Sequence, residues 1–495
     1  MKLGGLAASC GYAVSAQGDA TVTGFAIDHR KVAPGTVFGA FRGARVNGED
    51  FIPAAVAAGA IAVVARPEAA VAGAAHIADA EPRRAFARLA APFFAPFPDQ
   101  IVAVTGTNGK TSTVEMARQL WRMAGHSAAS IGTLGVTTPD GSVSTGLTTP
   151  DIVTFLSNLS GLAREGVTHV AYEASSHGLA QFRNEGPRVA AGAFTNLSRD
   201  HLDYHETMDA YFAAKMRLFD EVVAEGGTAV IAQGMASATG ETWAEQACEH
   251  ALKRGLRVFT VGEQATGIGL LAREPGHLGQ TLELAYEGQR IVVTLPLIGA
   301  YQAANALTAA GLVLATGGDA ARTFDGLARL QPVRGRLERA AIAASGAPVY
   351  VDYAHTPDAL EAAMAALRPH TRGRLIAVFG AGGDRDAGKR APMGAAAARG
   401  ADLVIVTDDN PRGEDPAAIP AAVLQGAPGA REVADRRAAI AAAIAEAREG
   451  DIVLVAGKGH EQGQIVGRGD ETRILPFDDV IVARECVGIL LGETR

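Results

Sequence analysis

The sequence has few cysteines, no excess of basic residues and no long apolar segment, and each of these shortages excludes a class of protein. Its three cysteines, Cys10, Cys248 and Cys486, are far apart and form neither a CxxC pair nor a Cys/His cluster, so neither a disulfide framework nor a zinc site is predicted. Lysine and arginine number 45 against 53 aspartates and glutamates, which gives a net charge of -8 and leads us to expect no nucleic-acid partner. A reducing cytoplasm fits these features.

No segment of the sequence is predicted to cross a membrane. The opening MKLGGLAASC faintly resembles a lipoprotein signal, but its apolar run is too short and includes Gly4 and Gly5, so we interpret it as part of the fold. The most apolar later stretch, 59–75, is interrupted at 66–68 (RPE) before it reaches the roughly 18 residues that a membrane span needs.

The composition and length predict a globular protein of several domains. Apolar residues make up 48% and charged residues 20% of the 495 residues, and a domain typically takes about 150 residues, which suggests three domains. Two stretches look like boundaries, because 91–99 (APFFAPFPD) contains three prolines and 331–336 (QPVRGR) follows a long helical region. We therefore expect domains at 1–95, 96–331 and 332–495.

Apolar runs alternate with amphipathic, alanine-rich segments, a pattern typical of α/β domains built on doubly wound parallel sheets. In such sheets ligands bind beyond the carboxyl ends of the strands, so ligand-binding and catalytic residues are expected directly after each run. The runs predicted to be strands are 101–104, 169–172, 191–194 and 228–231 in the middle segment and 349–353, 375–379, 403–407 and 452–456 in the last, where 437–448 is predicted to be a helix.

The clearest motif is 106–111 (GTNGKT), which lies between the predicted strand 101–104 and an amphipathic helix. Glycines let successive backbone N–H groups turn towards phosphate oxygens, while the helix N-terminus, a lysine and a threonine hydroxyl add positive potential and a ligand for Mg²⁺. The alternative is a plain glycine-rich turn. Because Val104 stands where the eight-residue Walker pattern has its first glycine, the loop is a variant, and ordinary GTPases and transport ATPases are disfavoured.

Two further polar clusters follow predicted strands: 173–178 (EASSHG) and 196–205 (NLSRDHLDYH). The Glu173 carboxylate is a hard oxygen ligand of the kind that Mg²⁺ prefers, and His201 is the natural metal-binding candidate of the second cluster. Taken alone, either cluster could instead consist of solvated, capping or turn residues. Thr356, followed by Pro357, is similarly predicted to cap a helix.

Five motifs occur together in an order typical of one enzyme family. They are 105–112 (TGTNGKTS), 173–179 (EASSHGL), 196–205 (NLSRDHLDYH), 335–338 (GRLE) and 352–358 (DYAHTPD). On these motifs the sequence resembles the Mur ligases, the ATP-dependent amino-acid ligases of peptidoglycan synthesis. The resemblance implies an N-terminal uridine-nucleotide-binding α/β domain, a central P-loop ATPase-like domain with a parallel sheet, and a C-terminal Rossmann-like domain that binds the amino acid.

The string 409–412 (DNPR) points to the acceptor amino acid, although by itself it could be a polar turn. Arg412 can form two parallel charge-assisted hydrogen bonds with a carboxylate. Within the family this arginine implies meso-diaminopimelate, which has the second carboxylate that lysine lacks, as the residue added to UDP-N-acetylmuramoyl-L-alanyl-D-glutamate. The resemblance assigns the acceptor contacts to Arg385, Asp409, Asn410, Pro411, Arg412, Gly457 and Glu461.

The resemblance also implies which residues bind ATP and two Mg²⁺ ions. Lys215 alone would be read as a solvated helix residue, but in the family it is carbamylated by CO₂, which replaces a cation with an anion that binds Mg²⁺. Because only the neutral amine reacts, its site must lower the pKa. The ATP contacts are Gly106, Thr107, Asn108, Gly109, Lys110, Thr111, Ser112, Asn305, Arg336 and Asp352. The metal ligands are Thr111, Glu173, His201 and Lys215 as its carbamate, and the catalytic residues are Lys110, Glu173, His201 and Lys215.

The remaining contacts implied by the resemblance belong to the uridine-nucleotide substrate. They are Ile27, His29, Thr148, Thr149, Ser175, Gln181 and Arg183. The sequence departs from the family pattern at two positions, because His29 replaces a usual serine and Gln302 a usual asparagine.

The reaction implied is phosphorylation of the D-glutamate side-chain carboxylate by ATP, followed by attack of the acceptor amine on the acyl phosphate. Three alternatives stay open: a lysine-adding Mur ligase, a folylpolyglutamate-type synthetase, and a module that binds nucleotide without turnover. The folylpolyglutamate-type synthetases share the GTNGK loop, but the long N-terminal domain and the DNPR string disfavour them. We expect a cytoplasmic monomer whose partners are small molecules.

Overall fold

The structure of the chain is a computed structural model, which describes residues 1–14, 17–43, 46–138, 141–143, 148–234, 241–263, 265–384 and 386–490. The chain forms two compact units. The first comprises Met1–Val261, Ala265–Gly267 and Thr308–Thr323, and the second comprises Gly262–Gln264, Ile268–Leu307 and Phe324–Arg495. The three-domain division at 95 and 331 stays a prediction.

Strands and helices alternate along most of the chain. The strands are β1 (Gly24–Ala26), β2 (Thr36–Gly39), β3 (Ala62–Ala65), β4 (Ala75–Ala78), β5 (Gln100–Thr105), β6 (Ala128–Gly132), β7 (Gly135–Thr137), β8 (Ser142–Val143), β9 (His169–Glu173), β10 (Val189–Phe194), β11 (Val223–Gln233), β12 (Arg257–Gly262), β13 (Ile268–Gly276), β14 (Gly279–Tyr286), β15 (Gln289–Leu295), β16 (Glu338–Ile342), β17 (Pro348–Asp352), β18 (Leu375–Phe379), β19 (Leu403–Val406), β20 (Arg431–Glu432), β21 (Ile452–Ala456), β22 (Gly463–Val466) and β23 (Arg473–Pro476). The α-helices are α1 (Leu3–Ser9), α2 (Ile52–Ala57), α3 (Pro82–Phe94), α4 (Lys110–Met123), α5 (Ile152–Arg164), α6 (Ser176–Ala180), α7 (Leu202–His205), α8 (Met208–Arg217), α9 (Glu241–Lys253), α10 (Ala300–Ala315), α11 (Ala320–Leu327), α12 (Pro357–Leu367), α13 (Arg390–Gly400), α14 (Ala418–Leu424), α15 (Arg436–Glu446) and α16 (Asp479–Leu490).

The first unit contains two sheets. A parallel sheet in the order β1-β2-β3-β4 lies near the N-terminus. The larger sheet has the order β12-β11-β10-β5-β9-β6-β7-β8 in this unit, and its strands from β11 to β6 are parallel. Strand β5 lies between β10 and β9, so the three loops that follow these strands leave the same edge of the sheet.

The second unit has an antiparallel sheet β13-β14-β15 and a sheet in the order β16-β17-β21-β18-β19-β20. In the latter, β16 is antiparallel and the other strands are parallel. Strands β18 and β21 are buried along their whole length, as expected for parallel strands covered by helices on both faces. Strands β22 and β23 form a separate hairpin.

The α/β class with parallel sheets, predicted from the sequence, is confirmed. Strands β9, β18 and β21 include the predicted runs, and the predicted helix at 437–448 is α15. Thr356 caps α12 by accepting a hydrogen bond from Ala359 N–H at 3.3 Å, with Pro357 as the first helical residue. In the part of the chain that the structure describes, no helix combines the length and apolar character needed to cross a membrane. The three cysteines are free thiols.

Candidate active site

The glycine-rich loop 106–109 connects β5 to α4, as predicted. Gly106 and Gly109 have φ angles of 143° and 86°, conformations that L side chains rarely adopt. A Cβ atom on Gly106 would lie 1.9 Å from Thr195 Oγ1, so no larger residue fits without displacing its neighbours. Lys110, the first residue of α4, folds back over the loop and donates hydrogen bonds to the carbonyl oxygens of Gly106 at 2.9 Å and Thr107 at 2.8 Å.

The loop is held in place by the segment that follows β10. The backbone N–H of Thr107 donates to Asn196 O at 3.0 Å, and that of Asn108 donates to Asn196 Oδ1 at 2.9 Å. The Thr195 hydroxyl donates to Asn108 O at 2.6 Å. Two predicted motifs, 105–112 and 196–205, are therefore in direct contact. Thr111 and Ser112, at the start of α4, are both buried.

Lys215 lies against the same loop, 109 residues away in sequence. It is 1% exposed, and its Nζ donates to Gly106 O at 2.7 Å, the oxygen that also accepts from Lys110. Burial, together with the nearby Lys110 ammonium, holds the pKa of Lys215 well below its ordinary value. The surroundings of Lys215 thus lower its pKa in the direction expected from the sequence.

Glu173 ends β9 beside the strand that leads into the loop, because the parallel register pairs it with Val104 of β5. The side chain is 1% exposed. Its Oε1 accepts a hydrogen bond from Thr133 N–H at 2.7 Å, and its Oε2 accepts one from the Thr133 hydroxyl at 3.3 Å. The carboxylate fits against Gly132, where a Cβ atom would lie 2.2 Å from Oε1.

Most residues predicted to bind the uridine-nucleotide substrate form one hydrogen-bonded network around Glu173. The Thr149 hydroxyl donates to Glu173 O at 2.9 Å and accepts from Ser175 N–H at 3.1 Å. Arg183 donates from NH1 to Thr149 O at 2.9 Å and from NH2 to Gln181 Oε1 at 2.7 Å. The hydroxyl of Thr148 lies 3.1 Å from that of Thr133, which connects it to the same network.

His201 is the first residue of a different cluster, composed mainly of aromatic rings. It adopts a positive φ of 52°, its ring centroid is 4.9 Å from that of His177 and 6.0 Å from that of Tyr211, and its Nε2 is 3.4 Å from Asp200 Oδ2. Tyr211 also contacts Lys215, whose Nζ lies 4.3 Å from the ring centroid. Tyr211 therefore contacts two of the four residues predicted as metal ligands, His201 and Lys215.

The predicted metal ligands supply the right donor chemistry without a conventional carboxylate cluster. Within the described ranges, no group of three or more His, Cys, Asp or Glu residues is arranged to hold a metal ion. The predicted set instead combines the Thr111 hydroxyl and the Glu173 carboxylate with the His201 imidazole and the Lys215 side chain, the last as its carbamate. Hydroxyl and carboxylate oxygens are hard ligands, which suits Mg²⁺.

At the N-terminal sheet, Ile27 and His29 follow β1. Asp28 accepts a hydrogen bond from Arg30 N–H at 3.0 Å and pairs with its guanidinium at 2.7 Å, which lowers the pKa of Asp28. The His29 ring stacks on Phe51 with centroids 4.4 Å apart and planes 6° from parallel. Ile27 is 37% exposed. The unusual histidine thus has a packing partner that a serine could not use.

Three predicted ATP contacts lie in the second unit and are linked to one another. Asn305 Nδ2 donates to Gln302 Oε1 at 3.2 Å, and Gln302 Nε2 donates to Arg336 O at 2.8 Å. Asp352 ends β17 and accepts hydrogen bonds from Leu337 N–H at 2.8 Å and Ala354 N–H at 2.9 Å. Burial raises the pKa of Asp352, while the nearby Arg336 opposes that rise. Gln302, the second departure from the family pattern, therefore connects Asn305 to the backbone of Arg336 through hydrogen bonds.

The predicted acceptor contacts follow β19 and β21 in the second unit. Asp409 and Asn410 are buried. Arg412, with φ of 51°, directs NH1 to Gly383 O at 2.9 Å. Gly457 has φ of 119°, and a Cβ atom there would lie 3.0 Å from Asp409 Oδ2. Pro411 is buried between Asn410 and Arg412, and Arg385 lies outside the described residues.

Sequence reasoning missed Thr133 and Lys458. Thr133 supplies both donors that hold Glu173, but nothing in the local sequence connects two residues 40 positions apart. Lys458 lies between Gly457 and Glu461, which were predicted, and is 0% exposed. Its Nζ donates to Asn410 Oδ1 at 2.8 Å. A lysine enclosed by two glycines directly after a fully apolar strand is the signal that could have pointed to it.

Family models match three consecutive parts of the chain. The Mur ligase family, catalytic domain, matches residues 21–94. The Mur ligase middle domain matches 104–313, and the Mur ligase, glutamate ligase domain, matches 335–459.

Similar proteins cover nearly the whole chain. A UDP-N-acetylmuramoyl-L-alanyl-D-glutamate--2,6-diaminopimelate ligase of Zymomonas mobilis is 60% identical over 98% of this chain and 99% of its own length. A protein of the same name from Bradyrhizobium diazoefficiens is 53% identical over 92% of this chain and 93% of its own. A solved structure of a ligase of that name has a TM-score of 0.74 and 33% identity, with 99% of both chains covered. The three matched domains and these full-length relatives lead to one conclusion: the chain is a member of the Mur ligase family.

Proposed function

We propose that this chain is the ATP-dependent ligase that adds meso-diaminopimelate to the D-glutamate side-chain carboxylate of UDP-N-acetylmuramoyl-L-alanyl-D-glutamate. The relatives that carry the name of this reaction are 60% and 53% identical and match nearly end to end. The observation that carries the proposal is that two predicted acceptor contacts of opposite charge both hydrogen-bond to Asn410 in the second unit. These contacts are a guanidinium, Arg412, and a carboxylate, Glu461.

An acceptor with two carboxylates and two amino groups matches this combination. The guanidinium of Arg412 suits a carboxylate, because its planar fork can form two parallel hydrogen bonds. The Glu461 side chain is 33% exposed, so its carboxylate can pair with an ammonium group of the acceptor. Lysine has no second carboxylate for Arg412, and this is the basis of the proposed preference for diaminopimelate.

The chemistry proceeds in two steps. The γ-phosphoryl group of ATP passes to the D-glutamate side-chain carboxylate and forms an acyl phosphate and ADP, because an ionised carboxylate is a poor electrophile. The acceptor amine then attacks the acyl carbon, phosphate leaves, and an amide bond forms with loss of a proton from nitrogen. The residues contribute mainly positioning and electrostatic stabilisation, as in other phosphoryl transfers. No covalent intermediate on the protein is needed.

The first unit supplies the groups that bind phosphate. The N–H groups of the loop at 106–109 and the N-terminus of α4 favour the phosphate oxygens, and Lys110, already folded over this loop, adds positive charge. Mg²⁺ would be held by Thr111, Glu173, His201 and Lys215 as its carbamate, and when bound it would neutralise charge on the phosphates. Arg183, which is anchored on Thr149 O, suits a carboxylate of the dipeptide. We place the reaction in the cytoplasm, where ATP is available.

The experiment is a substrate panel with ADP release as the readout. The full chain is incubated with ATP, Mg²⁺ and the dipeptide nucleotide, together with either meso-diaminopimelate or L-lysine. We expect rapid ADP release with diaminopimelate only. In the variant R412A, KM for diaminopimelate should rise roughly 100-fold, which corresponds to the loss of one charge-assisted bidentate contact, while KM for ATP stays unchanged.

Each alternative function has a distinct outcome in the same panel. Equal use of lysine would favour a lysine-adding ligase, and turnover with a folate and glutamate but not with the dipeptide nucleotide would favour a folylpolyglutamate-type synthetase. ATP binding without any ADP release would favour a nucleotide-sensing module. A parallel loss of ATP and diaminopimelate binding in R412A would refute the assignment of Arg412.

A further inference from the structure

Lys458 is a buried lysine in the second unit to which the proposed reaction assigns no role. Its side chain is 0% exposed. Nζ donates hydrogen bonds to Asn410 Oδ1 at 2.8 Å and to Gly463 O at 2.9 Å, and it lies 3.3 Å from Asp409 Oδ1. A single ammonium group therefore connects the loop after β19 with the start of the β22 hairpin.

These contacts determine the orientation of the Asn410 amide. The Asn410 atom that faces Lys458 also receives a hydrogen bond from Ile465 N–H at 2.9 Å. Because two donors meet at this atom, it must be the oxygen. The amide nitrogen therefore faces the other way, where Nδ2 donates to Glu461 Oε2 at 2.9 Å.

The orientation of Asn410 in turn fixes Glu461. The carboxylate of Glu461 has one oxygen engaged by the amide of Asn410, and the same oxygen lies 3.8 Å from Lys458 Nζ. Among the described residues no hydrogen bond engages Oε1, so this second oxygen is the one that can meet a ligand. If the Asn410 amide turned over, its oxygen would face the carboxylate, and two acceptors would repel each other.

A second buried cation nearby shows what a purely structural role looks like. Arg436 pairs with Asp479 through two hydrogen bonds, of 2.8 and 2.7 Å, and its other bonds go to the backbone oxygens of Ala456 and Asp408. Lys458 differs, because one of its two hydrogen bonds and both of its ion pairs, with Asp409 and Glu461, go to side chains in the predicted acceptor site. Burial lowers the pKa of Lys458, whereas the neighbouring carboxylate of Asp409 opposes that shift.

We propose that Lys458 is a positioning residue for the acceptor amino acid: it holds the Asn410 amide in the orientation that presents the Glu461 carboxylate to an ammonium group of the acceptor. The inference rests on the proposed function, since it assigns a role to the same acceptor site. It adds that the affinity for the amino acid depends on a residue that does not touch it.

The test uses three full-length variants, K458M, K458Q and N410A, and the double variant K458M/N410A. Methionine has a similar length but cannot donate, whereas glutamine retains a donor. In K458M we expect KM for diaminopimelate to rise roughly 10- to 100-fold, as is typical for residues that orient a ligand-binding side chain. KM for ATP should stay within about twofold of the wild-type value, and K458Q should recover part of the loss.

The double variant separates positioning through Asn410 from a general structural effect. If Lys458 acts through Asn410, adding K458M to N410A should change KM for diaminopimelate little beyond N410A alone. Additive effects would overturn the proposal, as would equal increases of KM for ATP and diaminopimelate. So would a melting temperature more than about 10 °C below wild type in both K458M and K458Q, because it would assign Lys458 to the fold.

Failure of the proposed function would look different. In that case the wild-type protein itself would release no ADP with diaminopimelate, and differential scanning fluorimetry would show no stabilisation by diaminopimelate in any form of the protein. Turnover by wild type together with an unchanged KM for diaminopimelate in K458M would leave the function intact and overturn only the role of Lys458.

Discussion

The contact between Gly132 and Glu173 makes the sharpest prediction about the first unit. In the variant G132A, the new methyl carbon would lie 2.2 Å from Glu173 Oε1 and 2.7 Å from its Cδ and Cγ atoms. Since a Cβ atom stays about 3.0 Å or more from its neighbours, the carboxylate has to retreat by roughly 0.8 Å. Such a shift stretches the 2.7 Å hydrogen bond from Thr133 N–H beyond useful length.

The magnitude follows from the group that is displaced. A hydrogen bond to a charged group contributes about 1.5 to 3 kcal/mol, and overpacking a buried site costs about 1 to 3 kcal/mol. We expect G132A to lose about 2 kcal/mol of unfolding free energy, or roughly 4–8 °C in melting temperature for a unit of this size. Because Glu173 is proposed to serve the reaction, kcat should fall by about 10- to 100-fold.

The matched control is G161A. Gly161 lies inside α5, and a Cβ atom there meets nothing within 4 Å. Alanine is a better helix former than glycine by about 1 kcal/mol, so G161A should melt at or slightly above the wild-type temperature and retain full activity. Scanning calorimetry and the ADP-release assay measure both variants. Wild-type kcat in G132A, with a melting temperature equal to that of G161A, would refute the steric argument.

Two further predictions concern basic groups whose pKa is lowered by burial. Replacing Lys215 by methionine should lower kcat by about 100-fold or more. The melting temperature should stay equal or rise, because the variant no longer buries an amine whose charged form is penalised. A folded variant with normal kcat would contradict the proposed role. Burial, with His126 nearby, lowers the pKa of His169 from 6.5 to about 4. The folded state thus binds this proton less readily than the unfolded chain. Between pH 6.5 and 4 the unfolding free energy of the wild type should therefore fall by about 1 kcal/mol more than that of H169N, after allowance for the partial exposure of the ring. Parallel urea titrations of the two proteins across that range provide the measurement, and identical pH dependence would contradict it.

Local sequence was sufficient to predict several strands and the strand-to-helix setting of the glycine-rich loop. Apolar runs such as 375–379 and 452–456 are strands with the predicted bounds, and the loop at 106–109 follows a strand and precedes a helix. These features follow from residue periodicity and from the backbone needs of glycine, which act over a few positions. The motif resemblance then assigned a role to residues such as Lys215, which local pattern alone would have left on the solvent-exposed side of a helix.

The hydrogen-bond partners of such residues could not be predicted from local sequence. Glu173 is held by Thr133 because the parallel register places β9 between β5 and β6, and Lys215 reaches Gly106 across 109 positions. Each of these contacts depends on strand order, a non-local property that residue spacing does not encode.

The sequence by itself determined the α/β class, the strand-to-helix loops that carry polar residues, and the motifs of the Mur ligase family. Only the tertiary structure decided which polar groups are buried, which of them have a shifted pKa and which are held by hydrogen bonds. The lowered pKa of Lys215, the cradle for Glu173 at Gly132 and the enclosure of Lys458 beside Asn410 all arise from burial. Burial is set by packing among distant segments, since desolvation depends on every atom that surrounds a group and not on its neighbours along the chain.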